Sequence, residues 1–305
     1  QPLSWMTLGF DYTVWGMDPF GYHLTSLMIH TVNAWLVYVL ALRLWPTEAR
    51  SALGADSGAR VAAGVAALVF AIHPLRVESV AWVTERRDVL SGFFAILTMI
   101  AYVRMADLKR RGQPAGTWLA AAIALFALSL LSKASAMALP LVLLLIDLLL
   151  LRRSAADARN PNAASLRDLV FEKTPFAVLS IATAVAALVG QKTVEVLVTM
   201  DREGPLQRVA RAFYGLAFYL WKSLVPVDLS NLYEVPFRTN AFDVHFLLSA
   251  AAVIALTVLT FLLRKRRPAV FVAWMSYALL LLPVSGIAHG GAHRGAAPGV
   301  VRAAG

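Results

Sequence analysis

The chain has 305 residues, of which 59% are hydrophobic and 15% charged; 28 Lys and Arg against 18 Asp and Glu give a net charge of +10, and there is no cysteine. Soluble domains average about 45–50% apolar and about 25% charged residues, so the composition excludes an ordinary soluble globule, a disordered chain and a disulfide-stapled one. The positive charge does not point to nucleic acid, because the basic residues fill short gaps between apolar runs, where they report membrane topology.

Roughly 20 helical residues at about 1.5 Å each cover a 30 Å hydrocarbon core. Runs free of Asp, Glu, Lys and Arg occupy 19–42, 112–132, 134–146 continued to 151 across Asp147, 174–191, 244–263 and 268–293. The two shorter runs, 61–75 and 89–103, reach across when Arg60, Arg76 and Arg104 snorkel to the interface. Stretches such as 141–146 are apolar on every face, which excludes the alternation of a transmembrane strand. An all-α polytopic membrane protein with about eight transmembrane helices is therefore expected.

Three basic gaps, Arg104 to Arg111, Arg152 to Lys173 and Arg264 to Arg267, are assigned to the cytoplasm. This places the residues before Leu24, the 74–88 loop, the 132–135 turn and the 191–242 loop on the outer side. Polar residues are costly in a membrane chain, so their clusters mark candidate sites.

The first cluster runs from Asp11 to Pro19 and continues into a helix whose His23, Ser26, His30 and Asn33 share one face of roughly 80°. Ser26, His30 and Asn33 read as interhelical hydrogen-bonding glue, and His23, at the outer end, as a candidate site residue. The second, 73–88, holds His73, Glu78, Glu85, Arg86, Arg87 and Asp88, and Pro74 suits the first turn of a helix on which Glu78, Trp82 and Glu85 share a face. A solvated helix with internal ion pairs is the plain alternative to recognition of an anionic, hydroxyl-rich ligand. Glu78, Arg86 and Asp88 are expected to face a single outer cavity.

Lys133 is a lone cation in the tight outer turn and a candidate phosphate contact. Asp147 lies near the cytoplasmic end of its helix, where it is expected to reach water; Glu195 carries little information. In 207–225, Arg208, Arg211, Gly215, Tyr219 and Lys222 fall within about 80° of one face, opposite Phe213, Tyr214, Phe218 and Trp221. That amphipathic pattern favours a helix lying in the outer interface, with Arg208, Arg211 and Lys222 able to hold a lipid-borne phosphate; headgroup snorkelling explains the stripe equally well. Asp201, Arg202, Glu203, Asp228, Asn231, Tyr233 and Glu234 flank it. No metal-ligand spacing and no cofactor motif is evident. The sequence opens on Gln1 rather than Met, and no basic stretch followed by an apolar one reads as a signal peptide, so the chain is expected to start within a longer protein, and the Gly/Ala-rich 289–305 is expected to be a disordered tail after a membrane domain of 1–288.

The stretches Gln1 to Trp5 through Tyr12, Gly21-Tyr22-His23-Leu24, His73 to Val83 running into Glu85 to Gly92, Leu130 to Lys133 and Trp221 to Pro226 resemble the membrane part of bacterial tetratricopeptide-repeat proteins, which are similar to the transmembrane O-mannosyltransferases. The resemblance covers roughly 1–288. It implies a C-type glycosyltransferase fold in the bacterial inner membrane, with its active face periplasmic. It further implies an inverting transfer of a sugar, such as mannose, from a polyprenyl-phosphate donor to a protein or glycan acceptor. A carboxylate must deprotonate the acceptor and cations must neutralise the leaving phosphate. Asp11, Glu78 and Asp88 are the candidate carboxylates here, since the family's acidic base motif would fall upstream of Gln1. A catalytically silent scaffold or fragment is the main rival; a secondary transporter, with ionisable groups near the midplane and two related halves, fits less well.

Overall fold

The computed structural model describes residues 1–45, 56–153, 164–193, 204–230 and 240–285. Among them the architecture is all-helical, as the apolar runs predict. The charged positions 159, 195, 201, 202, 203 and 234, the polar residues Asn231 and Tyr233, and the expected tail lie outside the described residues.

Helix α1 (Pro2–Trp15) ends at Gly16, whose φ of 59° suits glycine, and Asp18 then caps α2 (Pro19–Leu44) by accepting from the Phe20 N–H. Helix α3 (Asp56–Ile72) bends by 53° into a short turn, Pro74–Arg76, and α4 (Val77–Ala81). Trp82 is extended, with ψ 112°, and a 3-10 turn at Val83–Glu85 leads into α5 (Arg86–Arg110). The expected continuous helix from Pro74 is thus broken at Trp82, and Glu78 and Glu85 do not share a helical face. Helix α5 closes at Gly112, φ 68°, with the Gln113 N–H bonded to the Leu108 carbonyl in a Schellman-type stop.

Helix α6 (Gly116–Ser132) is followed by a 3-10 turn, α7 (Leu139–Leu145) and a π-helical turn at Ile146–Leu150. A capping box between Ser165 and Asp168 starts α8 (Leu166–Glu172), which bends by 47° into α9 (Thr174–Thr193). Then come the sharply amphipathic α10 (Pro205–Leu224), α11 (Val244–Leu263) and α12 (Pro268–Leu281).

Among the described residues three helices, α2, α11 and the one that includes α5, are long and apolar enough to cross a membrane, and five segments qualify if each bent pair counts as one span. Shorter apolar helices occupy Gly116–Ser132, Ala134–Leu150 and Pro268–Leu281. The core lies between α5, α6, α7, α9 and α12, where Tyr102, Met105, Phe126, Leu139, Leu143, Ile146, Phe176 and Val272 pack together. Large apolar side chains on α2, α9 and α11, such as Trp35, Ile181 and Leu248, face outward. That inversion suits helices whose surroundings are lipid, where close packing and interhelical hydrogen bonds, rather than exclusion of water, hold the bundle.

Polar ties do that work along α2. Asn33 Nδ2 donates to the Val89 carbonyl at 2.8 Å, His30 Nε2 lies 3.0 Å from the Ala71 carbonyl, and Ser26 Oγ accepts from Arg86 Nε at 3.2 Å. All three polar side chains are buried, whereas His23 on the same face is exposed. Ser91 and Ser129 hydroxyls, 3.1 Å apart, and the Ser129 bond to the Ser91 carbonyl, 2.9 Å, tie α5 to α6.

Candidate functional site

Helix α5 carries charge at both ends and is apolar between them. From Asp88 to Lys109 is about 31 Å along its axis, close to the thickness of a hydrocarbon core. Each end has gathered charged groups from other segments.

At the N-terminal end, Arg86 is completely buried and forms an ion pair with Asp11 of α1, whose side chain is only 3% exposed. The guanidinium also donates to the Tyr22 carbonyl at 2.6 Å, and more weakly to the Thr7 carbonyl at 3.4 Å. Asp11 accepts in addition from Thr25 Oγ1 at 3.0 Å. The pair therefore cross-links α1, α2 and α5. The sequence marked Arg86 as a ligand contact facing a cavity and Asp11 as a candidate base; the structure encloses both, and their charges compensate each other.

Above this pair lies a partly open cluster. Glu85 pairs with Arg87 and, at 3.4 Å, with Lys133, which also pairs with Asp88. Lys133 reaches the cluster because α6 ends there: its extended backbone turns the chain after Ser132, and Ser4 Oγ of α1 donates to the Ser132 carbonyl at 3.2 Å. Arg87 also donates to Gln1 Oε1 at 3.4 Å. Asp88 is 32% and Arg87 36% exposed at the side chain, against 12% for Glu85. Four sequence-marked residues, Glu85, Arg87, Asp88 and Lys133, are thus brought together, with Asp11 and Arg86 directly beneath.

The other marked residues sit apart. Glu78 is exposed on α4. His73 caps the turn before α4 by accepting from the Leu75 N–H, and its Nε2 lies 2.9 Å from the Ser223 carbonyl, tying this block to α10. On α10, Arg208 is buried, Arg211 half-buried, and Lys222 donates to the Val227 and Asp228 carbonyls at 2.6 and 3.2 Å. The helix packs along α11 through Tyr214 and Phe246 and is tied to α12 by the Tyr277 hydroxyl on the Leu216 carbonyl, 2.7 Å.

A second polar centre, which the sequence reading missed, occupies the other end of α5. Asp147 is fully buried rather than reaching water. The Tyr102 hydroxyl is 2.6 Å from Asp147 and 2.5 Å from Glu172, Arg153 lies 3.0 Å from Asp147 and 2.8 Å from Glu172, and Lys173 pairs with Asp147. Lys109 pairs with Glu172 at the rim. Burial alone would lower the Arg153 pKa, but its bond to Glu172 and the Asp147 carboxylate outweigh that and raise it, so the guanidinium stays charged. The available signal was Asp147 itself, a lone carboxylate inside an apolar run, since such a group demands a partner. In the sequence Arg153 and Lys173 read as topology markers alone. Among the described residues no group of three or more potential metal ligands is present.

No family model matches the chain. No solved structure matches it either. Three similar proteins are the protein O-mannosyl-transferases Tmtc1 and Tmtc2 of Drosophila melanogaster and TMTC4 of Homo sapiens. Tmtc1 is 33% identical over 104 residues, 34% of this chain and 11% of its own length. Tmtc2 is 32% identical over 152 residues, covering 49% and 15%, and TMTC4 28% identical over 137 residues, covering 44% and 18%. The matched region spans less than a fifth of each relative's length, and over that region the chain is similar to animal protein O-mannosyl-transferases.

Proposed function

We propose that the chain is the membrane part of an inverting glycosyltransferase that moves a sugar, such as mannose, from a polyprenyl-phosphate donor to a hydroxyl of a protein or glycan acceptor. About eight helices cross the membrane in this reading, with α10 lying in the outer interface. The 85–88 and 133 cluster faces the periplasm of a bacterial inner membrane, opposite the basic gaps. The lipid-linked sugar is a co-substrate, and no further cofactor is invoked.

The observation that carries the reading is the juxtaposition of a half-exposed carboxylate, Asp88, with the cations Lys133 and Arg87 at one end of an otherwise apolar bundle. The transfer needs those two kinds of group. A carboxylate takes the proton from the acceptor hydroxyl, whose oxygen attacks the anomeric carbon as the bond to the lipid phosphate breaks. The departing phosphate carries off the electron pair and is stabilised by cations. Asp88 has the exposure for the first role, which buried Asp11 lacks, and Lys133 and Arg87 suit the second; the enclosed Arg86 acts as a positioning residue. Arg208, Arg211 and Lys222 extend the phosphate-binding surface in this reading, and His23, His73, Glu78 and Glu85 its acceptor side. The similarity to protein O-mannosyl-transferases supports the same class of chemistry.

One observation favours a catalytically silent scaffold: Glu85, Arg87, Asp88 and Lys133 already pair among themselves. Sugar transfer from polyprenyl-phosphate-mannose by the reconstituted full-length protein separates the two. As an enzyme it should lose at least 100-fold in turnover with Asp88→Asn and weaken donor use about tenfold with Lys133→Gln, both folded; no turnover by the wild type at any donor concentration supports the scaffold.

A further inference from the structure

A cleft of about 320 Å³ opens at the C-terminal end of α5, lined by Lys109, Arg110, Leu119, Arg153, Asp168 and Glu172 among others. We propose that it binds a phosphate-bearing anion, and specifically the headgroup of an anionic phospholipid.

Three observations carry this. First, the cleft has a built polar wall. Arg153 is buried, 5% exposed, and held in place by bonds to Tyr102 at 3.0 Å and to both Glu172 oxygens at 2.8 and 3.1 Å. A guanidinium fixed in this way needs little ordering to meet a ligand. Second, the carboxylates at the cleft are committed. Glu172 is shared by Arg153, Lys109 and Tyr102, and Asp168 accepts from the Ser165 N–H and hydroxyl. Arg104, Arg110 and Arg111 share the single Asp107, and Arg153 and Lys173 share Asp147, so with Lys109 six cations face the four carboxylates Asp107, Asp147, Asp168 and Glu172 and the surroundings of the cleft are positive. Third, the cleft lies about one hydrocarbon thickness along α5 from the Asp88 end, so it opens at headgroup depth. Basic pockets between helices at that depth recognise lipid phosphates, each nearby cation contributing about a factor of five in affinity. Free inorganic phosphate offers the same chemistry without the acyl chains, which the apolar flank at Leu119 and Phe171 would accommodate.

The inference rests on the bundle being membrane-spanning, but not on sugar transfer. The full chain is purified in detergent, and its retention of dioleoylphosphatidylglycerol over phosphatidylcholine is measured by native mass spectrometry; protection against thermal unfolding by inorganic phosphate is measured in parallel. Wild type should retain the anionic lipid selectively. The Lys109→Gln/Arg110→Gln pair, both exposed positions, should weaken retention at least tenfold. Leu119→Trp should do the same by filling the cleft with its charges intact. Lys265→Gln/Arg266→Gln, in another basic gap, should change it less than twofold. Protection by phosphate without lipid retention assigns the cleft to a soluble anion and overturns the lipid assignment. The proposal as a whole is overturned if neither probe binds, or if the two charge pairs behave alike. Flotation of the wild type with phosphatidylcholine vesicles is scored separately: failure to float defeats the membrane reading, whereas the phosphate arm still judges the cleft.

Discussion

Replacing Arg86 by methionine should be among the most destabilising single changes in the chain. The substitution leaves the Asp11 carboxylate in a site 3% exposed, where Thr25 Oγ1 still donates to it, and removes the Arg86 bond to the Tyr22 carbonyl. Breaking a buried pair by deleting one member costs about 3–5 kcal/mol, because the stranded charge keeps its desolvation penalty. Each neutral interhelical hydrogen bond lost within a membrane adds only about 0.6 kcal/mol. A total of about 4 kcal/mol is therefore expected, most of it from the uncompensated carboxylate. Adding Asp11→Asn should recover much of the loss, since the amide keeps an acceptor for Thr25 without a charge, so the double variant should fall only about 1–2 kcal/mol below wild type. The assay is reversible unfolding of the full chain from mixed micelles by SDS, followed by tryptophan fluorescence, in a double-mutant cycle. An Arg86→Met variant within about 1 kcal/mol of wild type would refute the argument, as would a double variant whose cost equals the sum of the singles.

Gly21→Ala should also destabilise, by about 1–3 kcal/mol, because a Cβ there would lie 2.1 Å from Trp15 Cγ; Trp15→Ala should relieve the defect in the same unfolding assay. Tyr102→Phe removes the hydroxyl that sits among Asp147, Glu172 and Arg153 and should cost about 1–3 kcal/mol, with Lys109→Gln as a rim control of less than about 1 kcal/mol. Asn33→Leu, which loses the bond to the Val89 carbonyl, should cost no more than about 1.7 kcal/mol, as interhelical hydrogen bonds in membranes do; a larger loss in the same assay would refute the reading of Asn33 as an ordinary interhelical tie. The absence of native cysteine makes sidedness accessible: Glu78→Cys should label with an impermeant thiol reagent from outside, and Lys265→Cys only after permeabilisation, the reverse pattern inverting the proposed topology.

Helix class, the apolar segments and much of the polar glue were legible in the sequence because they depend on short-range properties. An uncharged run of 20 residues must satisfy its own backbone in lipid, so it becomes a helix whatever surrounds it. Likewise Ser26, His30 and Asn33 share a face by helical geometry alone, and polar groups there must find partners once α2 packs. Helix length did not settle the span count in the same way: among the described residues three helices qualify singly, because α3 and α8 bend before completing a span and α6, α7 and α12 are short. The break at Trp82 escaped the helical reading of 74–88, since nothing in the residue types there forbids a continued helix.

Charge partnership was decided by the tertiary fold. Asp11 and Arg86 stand in different segments, and their pairing exists because α1 folds back across α2 onto the start of α5. Lys133 became the partner of Glu85 and Asp88 through the short α6, whose extended exit residue points its side chain at the N-terminal end of α5. Asp147, Arg153 and Lys173 converge because the π-helical turn and the bend between α8 and α9 bring them against Tyr102. A run of residues specifies how apolar a segment is and therefore that it is a buried or lipid-facing helix. Which charges neutralise one another depends on distances between segments, set by packing that no single segment encodes.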